Sequence, residues 1–276
     1  MRVLTFALST FLFVAAVREP ERVHPGFGAA VGSIGDFDGD GAADILVVEL
    51  GARDRVEFAT VVSGDSGLEL GRIERAGSRE PVLAGGPVPP PRSGTWASIR
   101  LVLHSTIARR SPRVAFGDDD DGDGVRERWN VDGAVLCRGS KRGAVLRSWT
   151  VPYDRYADYA PCDSVIALGD VNADGRTDLA VASRRFVQGG VVWVLSGAGL
   201  GVVRSFHGGE FDWNVGPSLA ALGDVDGDHV PDFVVGSDNR IARELGTAHV
   251  ISGRTGELVW RITRVDGRVH GSSFAR

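Results

Sequence analysis

The sequence predicts an all-β fold, and three observations support this prediction. The chain of 276 residues contains 38 glycines and 12 prolines, an abundance that is typical of many turns between short elements. Its apolar residues fall into short runs of strand length that turn residues separate. An acidic segment with a fixed pattern returns four times along the chain, which indicates a structure built from repeated units.

The acidic segment has the pattern D-x-[DN]-x-D-G-x-x-[DE], and its four copies are named loops 1 to 4. They occupy residues 36–44, 119–127, 170–178 and 224–232. The last two intervals between copies, of 51 and 54 residues, each fit one unit. The first interval is 83 residues long. We interpret its surplus as a Gly/Pro-rich insertion at about 76–95, followed by strand-like residues 96–107 that belong to the insertion or form a degenerate half unit.

Strand-like segments flank each loop in the same order. Apolar residues precede the loops at 29–34, 113–116, 165–168 and 219–222, and they follow at 45–48, 179–181 and 233–235. A third segment lies at 61–64, 135–137, 194–197 and 250–253, and a fourth follows it, as at 257–262. Four strands joined by tight turns form a propeller blade. The sequence therefore predicts a β-propeller of four-stranded blades over residues 27–276, with four complete repeats in a ring of four or five blades or in a partial propeller.

The last residues of the chain resemble the strand that opens a repeat. Residues 271–276 align with residues 216–221, which precede loop 4, at a spacing of 55 residues. Since residues 27–34 at the other end are of the same type, two arrangements stay open. Either the final strand completes a blade with N-terminal residues in a small closed ring, or the propeller is partial and has an exposed edge that favours self-association.

The loops and their flanks resemble a known family. Phe27-Gly28 ahead of loop 1, the four aspartate loops and the apolar strands that follow are similar to the FG-GAP repeats of the integrin α-chain β-propeller and to the VCBS-type repeats of secreted bacterial proteins. The resemblance covers about residues 27–276 apart from the insertion. It implies a propeller in which each loop joins two strands of one blade and holds one calcium ion.

The residue types in the loops are also those of a calcium site. Oxygen-bearing side chains at positions 1, 3, 5 and 9 and the backbone carbonyl of position 7 can converge on one centre, because glycine at position 6 allows a sharp left-handed turn. The sequence thus predicts up to four calcium ions. The predicted ligands are Asp36, Asp38, Asp40, Ala42 and Asp44 in loop 1; Asp119, Asp121, Asp123, Val125 and Glu127 in loop 2; Asp170, Asn172, Asp174, Arg176 and Asp178 in loop 3; and Asp224, Asp226, Asp228, Val230 and Asp232 in loop 4.

Three departures from the pattern affect these predictions. His229 stands at the glycine position of loop 4, where the left-handed conformation strains a side chain. Asn172 removes one charge from loop 3 and predicts weaker binding there. The run of aspartates at 118–121 leaves the register of loop 2 open by one residue.

Two other interpretations of the loops are less favoured by the sequence. Aspartates that merely form turns or a solvated acidic face do not require four copies with the same internal spacing. An EF-hand or a dockerin has similar loop chemistry, but its loop leads into an amphipathic helix. Here the residues that follow loops 1 and 4, at 45–50 and 233–236, are β-rich.

The N-terminus has the organisation of a secretory signal peptide. Arg2 precedes an apolar run at 3–17, and small residues near its end offer a cleavage site. We expect residues 1–16 to be a signal peptide and residues 17–26 a short linker. The protein is therefore predicted to be secreted, periplasmic or at the cell surface, and no second apolar run reaches the length of a membrane span.

Charge and cysteine content limit the remaining possibilities. The formal net charge is -5 and the arginines are scattered, so we expect no basic face for nucleic acid. The two cysteines, Cys137 and Cys162, are expected either to form one disulfide or to stay as two buried thiols.

No catalytic signature accompanies the loops. The six histidines share no zinc spacing, and the chain has no G-x-S-x-G elbow, Walker loop or thiol–histidine signature. We therefore predict a non-catalytic, calcium-stabilised module for binding or adhesion, with an extracellular protein or glycan as its partner. The alternative is a secreted carbohydrate-active enzyme, a lyase or hydrolase, because a pair of catalytic carboxylates would not stand out among so many.

Overall fold

The computed structural model describes residues 26–51, 56–74, 82–84, 113–133, 135–139, 144–151, 162–184, 189–208, 215–237, 246–265 and 268–273. The expected signal peptide, the linker apart from Gly26 and the insertion apart from 82–84 lie outside these residues. The described residues form 18 β-strands in four antiparallel sheets, which confirms the all-β prediction. In this part of the chain, no helix has the length and apolar character needed to cross a membrane.

Each sheet is one blade, numbered by the loop it carries, and its strands are hydrogen-bonded in chain order. Blade 1 consists of β1 (Phe27–Gly35), β2 (Asp44–Leu50), β3 (Val56–Val62), β4 (Glu69–Glu74) and β5 (Val82–Ala84). Blade 2 consists of β6 (Val114–Phe116), β7 (Arg128–Asp132), β8 (Val135–Gly139) and β9 (Val145–Thr150). Blade 3 consists of β10 (Ser164–Gly169), β11 (Asp178–Ser183), β12 (Val191–Leu195) and β13 (Val202–His207). Blade 4 consists of β14 (Val215–Gly223), β15 (Asp232–Ser237), β16 (Thr247–Ile251), β17 (Leu258–Val265) and β18 (Arg268–Ser273).

The fifth strand of blade 4 corrects one prediction. β18 pairs antiparallel with β17, with Gly271 opposite Ile262, so it extends blade 4 at its far edge. Gly271 also lies against the turn at Gly67 in blade 1, where an added Cβ would come within 2.4 Å of the Gly67 carbonyl oxygen. Residues 268–273 therefore extend the repeat that precedes them. In the described structure this strand pairs with β17 and does not complete a blade with N-terminal residues, as one of the two predicted arrangements required.

The second strands of blades 3 and 4 explain why the blades stack. Every residue of β11 and β15 is buried, and alternate side chains of a strand point to opposite faces. Both faces of these strands must therefore be covered. Leu179 and Val181 pack in an apolar cluster shared with blade 2, whereas Ala180 and Ala182 pack in a cluster shared with blade 4.

The described blades follow one another in the order 2, 3, 4, 1. β6 contacts β10, β10 contacts β14, and β14 contacts β1. Val171 of loop 3 lies beside Gly253 of blade 4, and Val225 of loop 4 lies beside Gly64 of blade 1 in the same manner. Blade 1 therefore follows blade 4 in the way that blade 4 follows blade 3.

Polar groups also join blades 1 and 4, which come from opposite ends of the chain. The Val31 amide donates a hydrogen bond to Ser218 Oγ at 2.7 Å. Arg264 of β17 forms an ion pair with Glu49 of β2, with Nη1 2.6 Å from Oε2 and side-chain exposures of 1% and 6%. The Arg264 guanidinium lies over the Phe58 ring, 4.9 Å from its centre. The first and last blades are thus in direct contact.

Blade 2 stands at the other end of this array. Val114 and Phe116 of β6 are 44% and 53% exposed, while Ala115 between them is buried beside Trp129 in the cluster shared with blade 3. One face of blade 2 is therefore packed and the other is open to solvent. The described sheets form a partial propeller, which is one of the two predicted arrangements. Its open face carries Val114 and Phe116 beside their strand partners Asn130 and Arg128, so it is mixed in polarity.

Candidate metal centres

Each acidic loop connects the first and second strands of its blade, as the resemblance implied. Loop 1 lies between β1 and β2, and loops 2, 3 and 4 occupy the same place in their blades. In blades 1, 3 and 4, a shift in strand register coincides with the last residue before the loop, namely Gly35, Gly169 and Gly223. These glycines have positive φ angles, so the chain bends sharply there into the loop.

The backbone at position 6 adopts the left-handed conformation in all four loops. The φ angles are 97° at Gly41, 80° at Gly124, 78° at Gly175 and 68° at His229. The strain predicted for His229 is therefore present, since a side chain at positive φ is unfavourable.

Position 4 is left-handed as well, a feature that the pattern D-x-[DN]-x-D-G-x-x-[DE] does not contain. Three loops have glycine there, and loop 3 has Ala173 with a φ of 61°. The recurrence of Gly39, Gly122 and Gly227 at one position of the repeat is the signal that would have revealed it.

We expect that Ala173→Gly stabilises the protein by up to about 1 kcal/mol. Glycine removes a left-handed penalty of about 1–2 kcal/mol, and part of this gain is offset by the greater freedom of glycine in the unfolded chain. His229→Gly is expected to be neutral to stabilising for the same reason. Urea unfolding measures both effects, and Ala198→Gly, in an exposed turn without a positive φ, is the control that should destabilise.

The aspartate at position 1 organises each loop through backbone hydrogen bonds. In loop 2, the amides of Gly122 and Gly124 donate to Asp119 Oδ1 and Oδ2, both at 2.8 Å. Asp224 in loop 4 receives the Gly227 and His229 amides in the same way, at 2.7 and 2.8 Å. The shared pattern places Asp119 at position 1, so the register of loop 2 is the predicted one.

Three of the four loops bring acidic side chains together closely enough to share a cation. In each group, one carboxylate oxygen from each residue lies within 4.8 Å of the others. The groups are Asp36, Asp38 and Asp40 in loop 1; Asp119, Asp121 and Glu127 in loop 2; and Asp224, Asp226 and Asp232 in loop 4.

The aspartate at position 9 ties its loop to the turn after the third strand. The Phe37 amide donates to Asp44 Oδ2 at 2.6 Å, and the Gly64 amide donates to Asp44 Oδ1 at 3.0 Å. Asp178 and Asp232 receive the same two kinds of amide. Burial raises the pKa of Asp44 and of Asp232 to about 6, although the amides oppose this shift. These residues therefore hold the loops in place as well as being candidate ligands.

Glu127, at position 9 of loop 2, gives a direct test of whether the loops suit a cation. Its side chain is only 2% exposed, and its Oε1 has no hydrogen-bond partner in the structure. Burial, followed by the nearby charge of Asp121, raises its pKa. A buried carboxylate oxygen without a donor is costly, and a hard cation between Glu127, Asp119 and Asp121 would supply the missing partner. The residues of loop 2 fit a metal ion.

Loop 3 differs because its own donors already satisfy the side chain at position 5. Ser196 Oγ and Asn172 Nδ2 donate to Asp174 Oδ2 at 2.6 and 2.9 Å. These two hydrogen bonds, with that from Ser196 the stronger, lower the pKa of Asp174. In loop 4, Arg254 occupies a comparable role, with its Nε 3.2 Å from Asp228 Oδ2.

The remaining predicted ligands stay predictions. The amide of position 7 donates to the carboxylate of position 5 in every loop, as from Ala42 to Asp40 at 2.8 Å and from Val125 to Asp123 at 2.9 Å. This hydrogen bond orients the peptide at position 7. The carbonyl groups of Ala42, Val125, Arg176 and Val230 are assigned as ligands by the sequence pattern alone.

Cys162 is a free and buried thiol, so the structure holds it without the disulfide that the sequence left open. Burial, followed by the charge of Asp163, raises its pKa to about 12. Such a thiol is unreactive, because the thiolate is the nucleophile. The side chain of Cys137 lies outside the described residues.

Comparison with known proteins supports the resemblance. The family model of the FG-GAP repeat matches residues 164–195, a range that contains loop 3 with β10, β11 and β12. The chain thus carries an FG-GAP repeat, as predicted. No curated protein sequence gives a significant match.

Similar solved structures include three proteins. The Dos1 propeller is 12% identical with a TM-score of 0.40, and the alignment covers 83% of this chain and 46% of that one. BBS1N, in complex with ARL6DN, is 10% identical with a TM-score of 0.36, and the alignment covers 91% of this chain and 67% of that one. The biofilm matrix protein Bap1 of V. cholerae is 18% identical with a TM-score of 0.29, covering 85% and 39%. The chain spans about half the length of the first of these structures.

Proposed function

We propose that this FG-GAP repeat protein is exported, binds up to four calcium ions in its loops, and acts as a non-catalytic module that binds an extracellular protein or glycan. The observation that carries the calcium proposal is the convergence of three carboxylates within 4.8 Å in each of three loops. The unsatisfied Oε1 of buried Glu127 adds weight to it.

The donor set favours calcium over other metals. All the candidate side-chain ligands carry oxygen, and calcium prefers six to eight oxygen ligands, whereas zinc prefers nitrogen and sulfur. Bound calcium would offset the mutual repulsion of the carboxylates. Dissociation constants of about 0.1–1 mM are typical of extracellular modules, which agrees with the proposed export.

The loops are expected to differ in affinity. Loop 3 has one charge fewer, because Asn172 replaces an aspartate, and its Asp174 must give up the hydrogen bonds from Ser196 and Asn172. Loops 1, 2 and 4 each keep four acidic side chains at the predicted ligand positions. We therefore propose that loop 3 is the weakest of the four sites.

A calorimetric calcium titration tests the proposal directly. We expect Asp40→Ala and Asp228→Ala each to lower the calcium stoichiometry by about one, because each substitution removes a carboxylate from one loop only and loops 1 and 4 belong to different blades. Asp132→Ala, which removes an exposed aspartate of β7 outside the loops, should leave it unchanged. If a loop variant still binds calcium with the full stoichiometry, the substituted residue is not a calcium ligand.

The binding role needs a separate measurement. When the protein is applied to glycan and protein arrays in calcium and in chelator, its retention should depend on calcium. The reason is that each loop holds together the ends of the first two strands of its blade. Turnover of a retained polysaccharide would instead favour the alternative, a carbohydrate-active enzyme. Equal retention of the protein in calcium and in chelator would show that partner binding does not depend on calcium in the loops.

The stability of the calcium-free protein should increase as the pH falls from 7.5 to 5. The raised pKa values of about 6 at Asp44 and Asp232 mean that the folded state takes up protons before the unfolded state does, so folding is favoured below pH 6. In calcium the trend should reverse, because protons compete for the same carboxylates. Melting temperatures across this range in chelator and in calcium provide the measurement. The doubly substituted Asp44→Asn/Asp232→Asn protein is the control that should lose part of the pH dependence, because burial also raises the pKa values of Asp178 and Glu127.

A further inference from the structure

Four successive aspartates, at 118–121, lie at the start of loop 2 and immediately before it, and their side chains bond in two different places. Asp119 and Asp121 belong to the carboxylate group of loop 2 itself. Asp118 and Asp120, which alternate with them, bond instead to loop 3 of the neighbouring blade. The acidic run is therefore divided between two loops.

The contacts of Asp118 and Asp120 hold two adjacent residues of loop 3. Thr177 donates its amide to Asp118 Oδ2 at 2.7 Å and its hydroxyl to Asp118 Oδ1 at 2.9 Å. Arg176 Nη1 lies 2.9 Å from Asp120 Oδ1. Both partners stand directly before Asp178, whose carboxylate receives the Val171 and Gly197 amides.

The same link is chemically impossible at the other two junctions between described blades. Asp118 stands where loops 3 and 4 are preceded by Gly169 and Gly223, which have no carboxylate. Thr177 stands where loop 4 has Pro231, without an amide hydrogen, and where loop 1 has Ala43, without a side-chain donor. The connection is specific to loops 2 and 3.

We propose that loops 2 and 3 load calcium as a coupled pair, with binding at one strengthening binding at the other through Asp118 and Asp120. The inference rests on the proposed calcium function. Ordering Asp119 and Asp121 around a cation fixes the intervening Asp120 and the preceding Asp118. These residues in turn fix Thr177 and Arg176, so loop 3 loses less conformational entropy when it binds calcium.

Loop 3 has the most to gain from this arrangement. Its Asn172 lowers its charge and its Asp174 is already hydrogen-bonded, so it is the site for which pre-ordering by a neighbour matters most. The carboxylates of Asp118 and Asp120 also lie between the two loops, where they reduce repulsion between two bound cations. Coupling of this kind is reciprocal by thermodynamic necessity.

The test uses the full chain with loops 1 and 4 disabled by Asp40→Ala and Asp228→Ala, so that a calorimetric titration reports only loops 2 and 3. In this background, disabling loop 2 by Asp121→Ala should weaken calcium binding at loop 3 about fivefold, at the low end of typical coupling. When Asp118→Ala is also present, the same Asp121→Ala change should alter loop 3 affinity less than twofold. Asp132→Ala, in the same blade, is the matched control for charge and should keep the fivefold effect.

Each outcome decides the proposal. An unchanged or strengthened loop 3 after Asp121→Ala overturns it, as does a loop 3 that binds no calcium in the background. If the unaltered protein binds no calcium, the proposed function itself fails, which is a different result. Should the background protein not fold, as judged by circular dichroism, the unaltered chain and its Asp118→Ala variant are titrated instead. Coupling then predicts that the Asp118→Ala variant binds calcium more weakly at both loop 2 and loop 3. Unchanged affinity in every binding step would overturn the proposal.

Discussion

Replacing Arg264 by alanine is expected to lower the free energy of unfolding by about 3–5 kcal/mol, the range found when one partner of a buried ion pair is removed. Arg264 and Glu49 are almost completely buried, and Nη1 lies 2.6 Å from Oε2. The substitution removes the Arg264 guanidinium from the buried Glu49 carboxylate in the contact between blades 1 and 4. It also removes the guanidinium from the face of Phe58, 4.9 Å away. Chemical denaturation of the purified variant measures the loss.

Two control proteins separate the ion pair from simple packing. Arg72→Ala removes a partly exposed arginine that stacks on the same ring at 5.7 Å and pairs with Glu69 near the surface, so it should cost less than about 1 kcal/mol. Glu49→Leu/Arg264→Met replaces both charges by apolar groups and should recover most of the stability. A double variant as unstable as Arg264→Ala would contradict the electrostatic explanation.

The repeated local chemistry is what made most of the fold predictable from the sequence. The apolar segments before all four loops became first strands, and those after loops 1, 3 and 4 became second strands, because turn residues bounded them on both sides. The contact between the first and last blades was less accessible, since Glu49 and Arg264 are 215 positions apart and nothing in their local sequence pairs them. The pairing partner of residues 268–273 was hard to predict for a related reason. A short run with small residues suits an outer edge strand as well as an opening strand, and only the pairing with β17 distinguishes the two.

The candidate sites were predictable in residue type and less so in detail. Spacing identified the carboxylates that converge in loops 1, 2 and 4. It did not reveal that Asp118 bonds to Thr177, because the neighbouring blade supplies that partner. It also did not show that Asp44, a predicted ligand, already accepts hydrogen bonds from three backbone amides. Tertiary contacts decide such roles, and a repeat pattern describes only what the copies share.

Removing calcium is expected to produce the other large effect, a fall in melting temperature of roughly 5–15 °C. At about 1 mM calcium, a site with a dissociation constant of about 0.1–1 mM contributes about 0.4–1.4 kcal/mol. Four such sites together add about 2–6 kcal/mol. The physical reason is that the groups in loops 1, 2 and 4 hold carboxylate oxygens within 4.8 Å of one another, and their repulsion favours unfolding when no cation is present. Thermal melts in calcium and in chelator measure the difference.

The calcium-dependent shift in melting temperature should become smaller with each loop that is disabled. A protein with Asp40→Ala, Asp121→Ala and Asp228→Ala together retains only loop 3, the weakest proposed site, and should lose most of the calcium-dependent shift. Magnesium should replace calcium poorly, because it demands octahedral geometry and releases its water reluctantly. If chelation leaves the melting temperature of the unaltered protein unchanged, the calcium assignment is wrong. The acidic loops are then turns whose carboxylates are stabilised by hydrogen bonds from backbone amides, as at Asp44, Asp119 and Asp224.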